Sequence, residues 1–182
     1  MADFGDTYKK EMIPKLQEAF GFTNPSAVPK LVKIVINMGL KDALKDQKIL
    51  EEASTQLTAL SGQKPVITRA KKAIAGFKLR RGDAIGIMVT LRGKRMYDFF
   101  EKLVRIVLPR VRDFRGVSTT SFDGHGNYSL GFSEISVFPE VDTNTMSRSF
   151  GFEATIKTTA KNNEEARKLL EVLGMPFRKV SS

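Results

Sequence analysis

The chain has no cysteine, which excludes disulfides, thiolate metal sites and cysteine nucleophiles and makes a reducing cytoplasm the simplest setting. Its one histidine, His125, cannot form a multi-histidine zinc site. Within Asp123-Gly124-His125-Gly126-Asn127 it reads as a turn residue, since Gly, Asn and Asp tolerate tight backbone bends. No apolar run approaches the roughly 18 to 20 residues that span a bilayer, and Met1 to Lys10 lacks the apolar segment of a signal peptide. Neither export nor membrane insertion is expected. Phosphate-cradling motifs are missing as well: Gly124, Gly126 and Gly131 do not follow the Rossmann spacing, and Gly93-Lys94-Arg95 fails the Walker pattern at its last position. Acidic pairs such as Glu51-Glu52 and Glu164-Glu165 occupy adjacent helical positions that face different directions. No nucleophile, base and orienting acid assemble from the pattern, so catalysis, a cofactor, a metal and a small-molecule substrate are all unexpected.

Acid is scarce in one place in particular. Between Lys64 and Arg112 fourteen basic residues face three acidic ones, a surplus of eleven, whereas the rest of the chain is one charge short of neutral. The overall charge of +10 therefore comes entirely from that stretch. General solubility needs no such clustering, whereas neutralising phosphates along one surface does. The densest part, Arg69 to Arg81, holds Arg69, Lys71, Lys72, Lys78, Arg80 and Arg81 without an acid. Its apolar tip, Ala73 to Phe77, offers one aromatic ring to a ribose or base.

A length of 182 residues and a hydrophobic content of 41% suit one compact domain with a buried core. Tyr8, Met12, Leu16 and Phe20 recur at helical spacing, with Asp6 or Thr7 as cap and Gly21 as terminator. Val32, Ile34, Ile36 and Met38 alternate with Lys33, Val35 and Asn37, which predicts a half-buried strand with Met38 turned inward. Leu50, Ala53, Leu57 and Leu60 predict a helix from about Asp42 to Gly62. A strand around Val66 to Ala70 leads into the basic loop. Ile85, Ile87, Val89 and Leu91 point one way along a third strand, and Gly86, Met88, Thr90 and Arg92 the other. Met96, Phe100, Leu103, Val104 and Val107 mark a helix stopped by Pro109. A long loop is predicted over Gly116 to Gly131, then strand signals at Tyr128 to Phe132 and at Phe150, Phe152, Ala154 and Ile156. The last helix carries Ala166, Leu169, Leu170 and Leu173, capped by Asn162 or Asn163 and ended by Gly174 and Pro176. The sum is an α+β fold, a mainly antiparallel sheet with helices on one face and the other face open. Alternation assigns Lys33, Asn37, Thr90 and Arg92 to the open face, where amide, hydroxyl and guanidinium groups suit phosphates and 2′-hydroxyls of structured RNA.

The segments Lys33-Ile34-Val35-Ile36-Asn37-Met38-Gly39, Gly62 to Lys72, Gly76-Phe77-Lys78-Leu79-Arg80 and Val89-Thr90-Leu91-Arg92-Gly93 closely resemble bacterial large-subunit ribosomal protein five, the 5S rRNA-binding family. So do Arg112-Asp113-Phe114-Arg115-Gly116, Phe122-Asp123-Gly124, Gly126-Asn127-Tyr128 and Leu173-Gly174-Met175-Pro176-Phe177, and the likeness covers nearly the whole chain in order. The resemblance implies a non-catalytic resident of the large subunit that anchors 5S rRNA beside large-subunit rRNA in the central protuberance. By motif, Asn37, Gln63 and Thr90 would be the principal polar 5S contacts, supported by Lys33, Met38, Thr68, Arg69 and Arg92. The family's long basic loop, matched by 72–81, would reach the peptidyl-site tRNA through Lys72, Ala75, Gly76, Phe77, Lys78, Arg80 and Arg81. The part from about Phe138 to Ser149 is similar to the segment that meets small-subunit ribosomal protein thirteen in an inter-subunit bridge. The sequence departs from the family after Gly39, where Leu40-Lys41 stand in place of an expected second glycine, and across Asp142 to Ser149.

Two rival readings use the same residues differently. An adaptor for anionic membrane surfaces or acidic proteins would employ the basic segment without RNA. An RNA-modifying or RNA-cleaving enzyme would require clustered acid and base groups, which the sequence does not supply.

Overall fold

Strands and helices follow one another as the apolar spacing switches between two and about 3.6 residues. In the computed structural model, which describes residues 12–22, 24–44, 46–141 and 149–178, helix α1 (Ile13–Phe20) precedes strand β1 (Leu31–Gly39). A 3-10 turn (Lys41–Leu44) leads to helix α2 (Gln47–Ser61) and strand β2 (Val66–Arg69). Strand β3 (Ala84–Leu91) is followed by helix α3 (Gly93–Lys102), which widens into a π-helical stretch (Leu103–Val107) and ends in a helical turn (Leu108–Arg110). Strands β4 (Tyr128–Phe132) and β5 (Phe152–Thr158) and helix α4 (Asn163–Val172) complete the described chain.

The five strands form one sheet in the order β2-β3-β1-β5-β4. Hydrogen bonds at the strand ends fix the senses. Leu40 N–H donates to Ile85 O (2.8 Å), joining the end of β1 to the start of β3, and Thr159 N–H donates to Lys30 O (2.9 Å), joining the start of β1 to the end of β5. Strand β2 is antiparallel to β3, with Val66 opposite Met88 and Thr68 opposite Gly86, and a bulge between Thr68 and Arg69. The α+β architecture predicted from the sequence is thus the one observed.

Two compact units divide the chain. One consists of Val35–Thr90 and Gly131–Ala154. Its core comes from Ile36 and Met38 of β1, Ile87 and Val89 of β3, Leu50, Ala53, Leu57 and Leu60 of α2, and Phe152 and Ala154 of β5, all buried. Helix α2 starts later than the Asp42 read from the sequence. The Asp46 carboxylate accepts from Lys48 N–H at 2.9 Å and caps it, and the preceding residues close their own 3-10 turn instead. At the outer edge of the sheet, β2 is exposed on both faces: Val66 is 65% and Ile67 44% accessible.

The other unit holds the chain through Ile34, Leu91–Leu130 and the chain from Thr155 onward. Leu16 of α1, Met96, Phe99, Phe100 and Leu103 along α3 and its extension, and Ala166, Leu169 and Leu170 of α4 are buried here. Gly21 ends α1 in the left-handed conformation as expected, while Tyr8, Asp6 and Thr7 lie outside the described residues. Pro109 does not stop its helix. The ring nitrogen has no hydrogen to return to the preceding turn, and the wide π stretch, in which Leu108 N–H reaches back to Leu103 O, carries the chain past it to Arg110. The Gly116 to Gly131 loop is tied down. Tyr128 Oη donates to Ser118 O (2.6 Å), Val117 N–H to Pro176 O (2.8 Å), and the Phe122, Tyr128 and Phe177 rings pack together.

Lys168 of α4 docks α1: its ammonium donates to Ala19 O at 2.6 Å and lies 5.3 Å from the centre of the Phe20 ring. A cation at a helix C-terminus meets carbonyls that have no intrahelical donor. Lys168→Met, which keeps the stem and removes the charge, is expected to lower stability by about 1 kcal/mol. Thermal unfolding would show a midpoint lower by about 2 to 4 °C, and an unchanged midpoint would mean that the bond contributes nothing.

Candidate nucleic-acid interface

Strand alternation leaves one side of β1 and β3 accessible within the unit that contains Val35–Thr90. Ile36, Met38, Ile87 and Val89 are buried, whereas Asn37 and Gly39 are exposed and Val35, Met88 and Thr90 are half-buried. The side chain of Thr68 joins this surface from β2, because its register partner Gly86 shares the face of Met88 and Thr90. Gly86 makes room for that arrangement: a Cβ there would lie 2.4 Å from Met38 O and 3.0 Å from Thr68 Oγ1.

Gln63 arrives from the end of α2. The helix stops at Gly62, in the left-handed conformation with φ of 66°, and Gln63 N–H is received by Ser61 Oγ at 3.3 Å. Its amide then reaches across to donate to Thr90 O at 3.4 Å. Gln63, Thr68, Thr90 and Asn37 thus form a polar surface of amides and hydroxyls. Met38 lies on the opposite side with 0% exposure, as strand alternation predicts. Its side chain is not at the surface, because the alternation of exposed Asn37, buried Met38 and exposed Gly39 holds to the end of β1. Lys33 on β1 is half-buried and Arg92, just beyond β3, is exposed; both fall in the other unit.

Arg69 opens the basic loop and ties its base. Its Nη1 donates to Gly82 O (2.9 Å), while Ala70 N–H donates to Asp83 O and Gly82 N–H to Ala70 O, each at 2.9 Å. The Asp83 carboxylate accepts from Arg80 N–H at 2.7 Å, so the acid at the loop base is used to fold the loop. Farther out, Ile74 and Leu79 exchange backbone bonds of 2.9 and 3.1 Å around a 3-10 turn (Ala75–Phe77). Lys78 completes the tip with a left-handed backbone, φ of 53°. Lys72, Ala75, Gly76, Phe77, Lys78, Arg80 and Arg81 are all accessible, and no cation from Lys71 to Arg81 makes an ion pair with the described residues. Phe77 is 62% accessible, with the Lys41 ammonium 5.3 Å from the ring centre. Lys41 carried no functional signal in the sequence beyond its place at a departure from the family pattern, since its ring partner is 36 positions away.

His125 sits in the turn read from the sequence: its N–H and that of Asn127 donate to Asp123 Oδ1 (2.8 and 3.0 Å), and Asn127 Nδ2 donates to Oδ2 (2.6 Å). The Asn127 amide holds the Asp123 carboxyl below its ordinary pKa. Among the described residues no three potential metal-ligating side chains converge, and no helix is long and apolar enough to cross a membrane. In the segment that resembles the subunit-bridge part of the family, Phe138 and Val141 are buried and Glu140 exposed, while 142–148 lie outside the described residues.

Residues 24–80 match the family model for ribosomal protein L5, and residues 84–177 match the model for the C-terminus of the same ribosomal family. The chain is 54% identical over 178 residues to the large ribosomal subunit protein uL5 of Syntrophomonas wolfei, an alignment covering 98% of this chain and 100% of that protein. It is 55% identical over 179 residues to uL5 of Desulfatibacillum aliphaticivorans, with the same coverage. It is 54% identical to uL5 of Microcystis aeruginosa over 94% of this chain and 96% of that one.

Proposed function

The chain belongs to the ribosomal protein L5 family, constituents of the large ribosomal subunit and not enzymes, and on that premise we propose that its open sheet face binds 5S rRNA. The observation that carries the proposal is the polar set Asn37, Gln63, Thr68 and Thr90 on an uncovered sheet surface, in the same unit as a loop whose cations make no ion pair with the described residues. Amides and hydroxyls fixed on strands read the shape and 2′-hydroxyls of a folded RNA, and cations supply attraction that is independent of sequence. Lys33, Arg69 and Arg92 add phosphate contacts. Met38, buried under the strand, supports the surface from beneath without touching the RNA through its side chain.

The basic loop takes a second RNA, the peptidyl-site tRNA. Its exposed tip and Lys72, Lys78, Arg80 and Arg81 meet the phosphates, and Gly76, with nothing within 4 Å of a Cβ position, lets the backbone come close. The segment from Phe138 to Ser149 meets small-subunit ribosomal protein thirteen. Anchoring 5S rRNA in the central protuberance then places both contacts within reach of one protein.

The purified protein is expected to retard 5S rRNA in a gel far more than an unrelated RNA of equal length, at salt high enough to suppress nonspecific binding. Equal retardation of the two would reject recognition of a particular fold. Asn37→Ala or Thr90→Ala should weaken the complex by about 1 to 2 kcal/mol, the loss of one good hydrogen bond to RNA. Replacing Arg80 and Arg81 by Ala should leave 5S retardation nearly intact while reducing retention of tRNA. A large 5S loss from the double variant would merge the two surfaces into one and overturn the separate role of the loop.

A further inference from the structure

We infer that Lys41 holds Phe77 as a one-sided stacking platform whose free face takes an unstacked nucleobase of the RNA partner. The inference rests on the reading that the basic loop meets RNA, and adds which residue positions the ring and what chemistry lies against it. Phe77 stands at the loop tip with 62% of its surface open to water, so that much of its ring is available to a partner. One face is already engaged, the Lys41 ammonium lying 5.3 Å from the ring centre. The two residues have different anchorages. Lys41 opens the 3-10 turn that directly follows Leu40, whose N–H is bonded to Ile85 O, so its backbone is fixed to the sheet. Phe77 rides at the tip of a narrow hairpin whose outer part is closed by the Ile74 and Leu79 bonds and by the bonds of Phe77 N–H to Ile74 O and Lys78 N–H to Ala75 O. The cation therefore ties a slender loop to the rigid part of the same unit.

The pairing also sets the electronic character of the platform. A cation over one face of a benzene ring draws π density toward itself, and the opposite face then favours an electron-rich partner such as a purine. Lys78, Arg80 and Arg81 are accessible along the same loop without ion pairs to the described residues, and can hold the phosphates on either side of such a base. An acidic peptide would be held by those charges alone and would gain nothing from the open ring.

The test uses the full chain and two probes of equal length and charge, an eight-nucleotide oligoadenylate with a central 2-aminopurine and an abasic ribose-phosphate octamer. Anisotropy at one salt concentration is expected to give about tenfold tighter binding of the adenylate, within the range of one stacked base. Phe77→Leu should remove that preference and the associated 2-aminopurine quenching. Lys41→Gln should lower it about two- to fivefold, Lys41→Arg should retain it, and Lys41→Gln should have no added effect in the Phe77→Leu background. Equal binding of both probes by the natural protein overturns the platform. A Lys41→Gln loss that persists without Phe77 overturns its positioning role and makes Lys41 a direct phosphate contact. Retardation of 5S rRNA by the same variants is expected to be unchanged, so failure of the natural protein to bind 5S rRNA would strike the function proposed above and not this one.

Discussion

Replacing Gly86 by alanine is expected to destabilise the protein by about 3 kcal/mol, at the upper end of what overpacking a close-packed interior costs. The added methyl would sit 2.4 Å from the carbonyl oxygen of Met38 and 3.0 Å from Thr68 Oγ1. The first neighbour is backbone, held at a fixed spacing by the ladder between β1 and β3, so the strands must separate or the sheet must bend. Strand separation would also disturb the surface that carries Asn37 and Thr90. For a chain of this size the melting temperature should fall by about 6 to 12 °C, and retention of 5S rRNA should fall with it. Gly39→Ala is the matched control: a Cβ at Gly39 meets nothing within 4 Å, and its stability should stay within about 0.5 kcal/mol of the natural chain. If both variants melt at the natural temperature, the close approach is not a constraint on the sheet.

At alkaline pH the second large effect is expected at Tyr128. Its ring is fully buried, its hydroxyl donates to Ser118 O at 2.6 Å, and burial pushes the phenol pKa up to about 12. The unfolded chain, with an ordinary value of 10.0, releases this proton first. Stability from the neutral phenol is therefore complete below pH 10 and is lost as pH climbs toward 12. The full loss is up to about 2 to 3 kcal/mol, the free-energy equivalent of such a shift. Half-buried Tyr97, also raised by burial, adds to the slope with the same sign. Tyr128→Phe isolates the buried phenol. Urea midpoints at pH 9 and pH 11.5 should converge in the variant by more than half of the difference seen in the natural protein, and equal pH dependence in the two would remove Tyr128 from the account.

Much of this was legible from local pattern. The two-residue period of β1 and β3 gave their buried and open faces, and so placed Asn37 and Thr90 outward and Met38 inward. Asn162 caps α4 through Glu165 N–H at 2.8 Å, as its position before the apolar repeat suggested. What escaped the sequence depends on partners far along the chain or on competing local bonds. The Asp46 cap truncated α2 because its carboxylate takes Lys48 N–H, an option that the apolar spacing does not encode. Pro109 read as a stop because the π stretch that accommodates it leaves no compositional mark. The Gln63 amide on Thr90 O spans 27 residues, and the need for glycine at 86 appears only when Met38 is brought alongside. Polar residues between Gly116 and Gly131 suggested a loop without showing that Asn163 would accept from Gly124 N–H and that the Thr158 hydroxyl would donate to Gly126 O.

The edge strand β2 has a bearing on how the protein behaves outside its particle. Val66 and Ile67 offer a short apolar ribbon that two copies could zip together, and the flanking Lys64 and Arg69, with the bulge after Thr68, oppose that approach. Like charge therefore works against pairing of two such edges, and concentrated electrolyte weakens that repulsion. The brine that strips away adventitious nucleic acid during purification is the same medium in which this ribbon is least guarded, so light scattering should rise with ionic strength before any unfolding sets in.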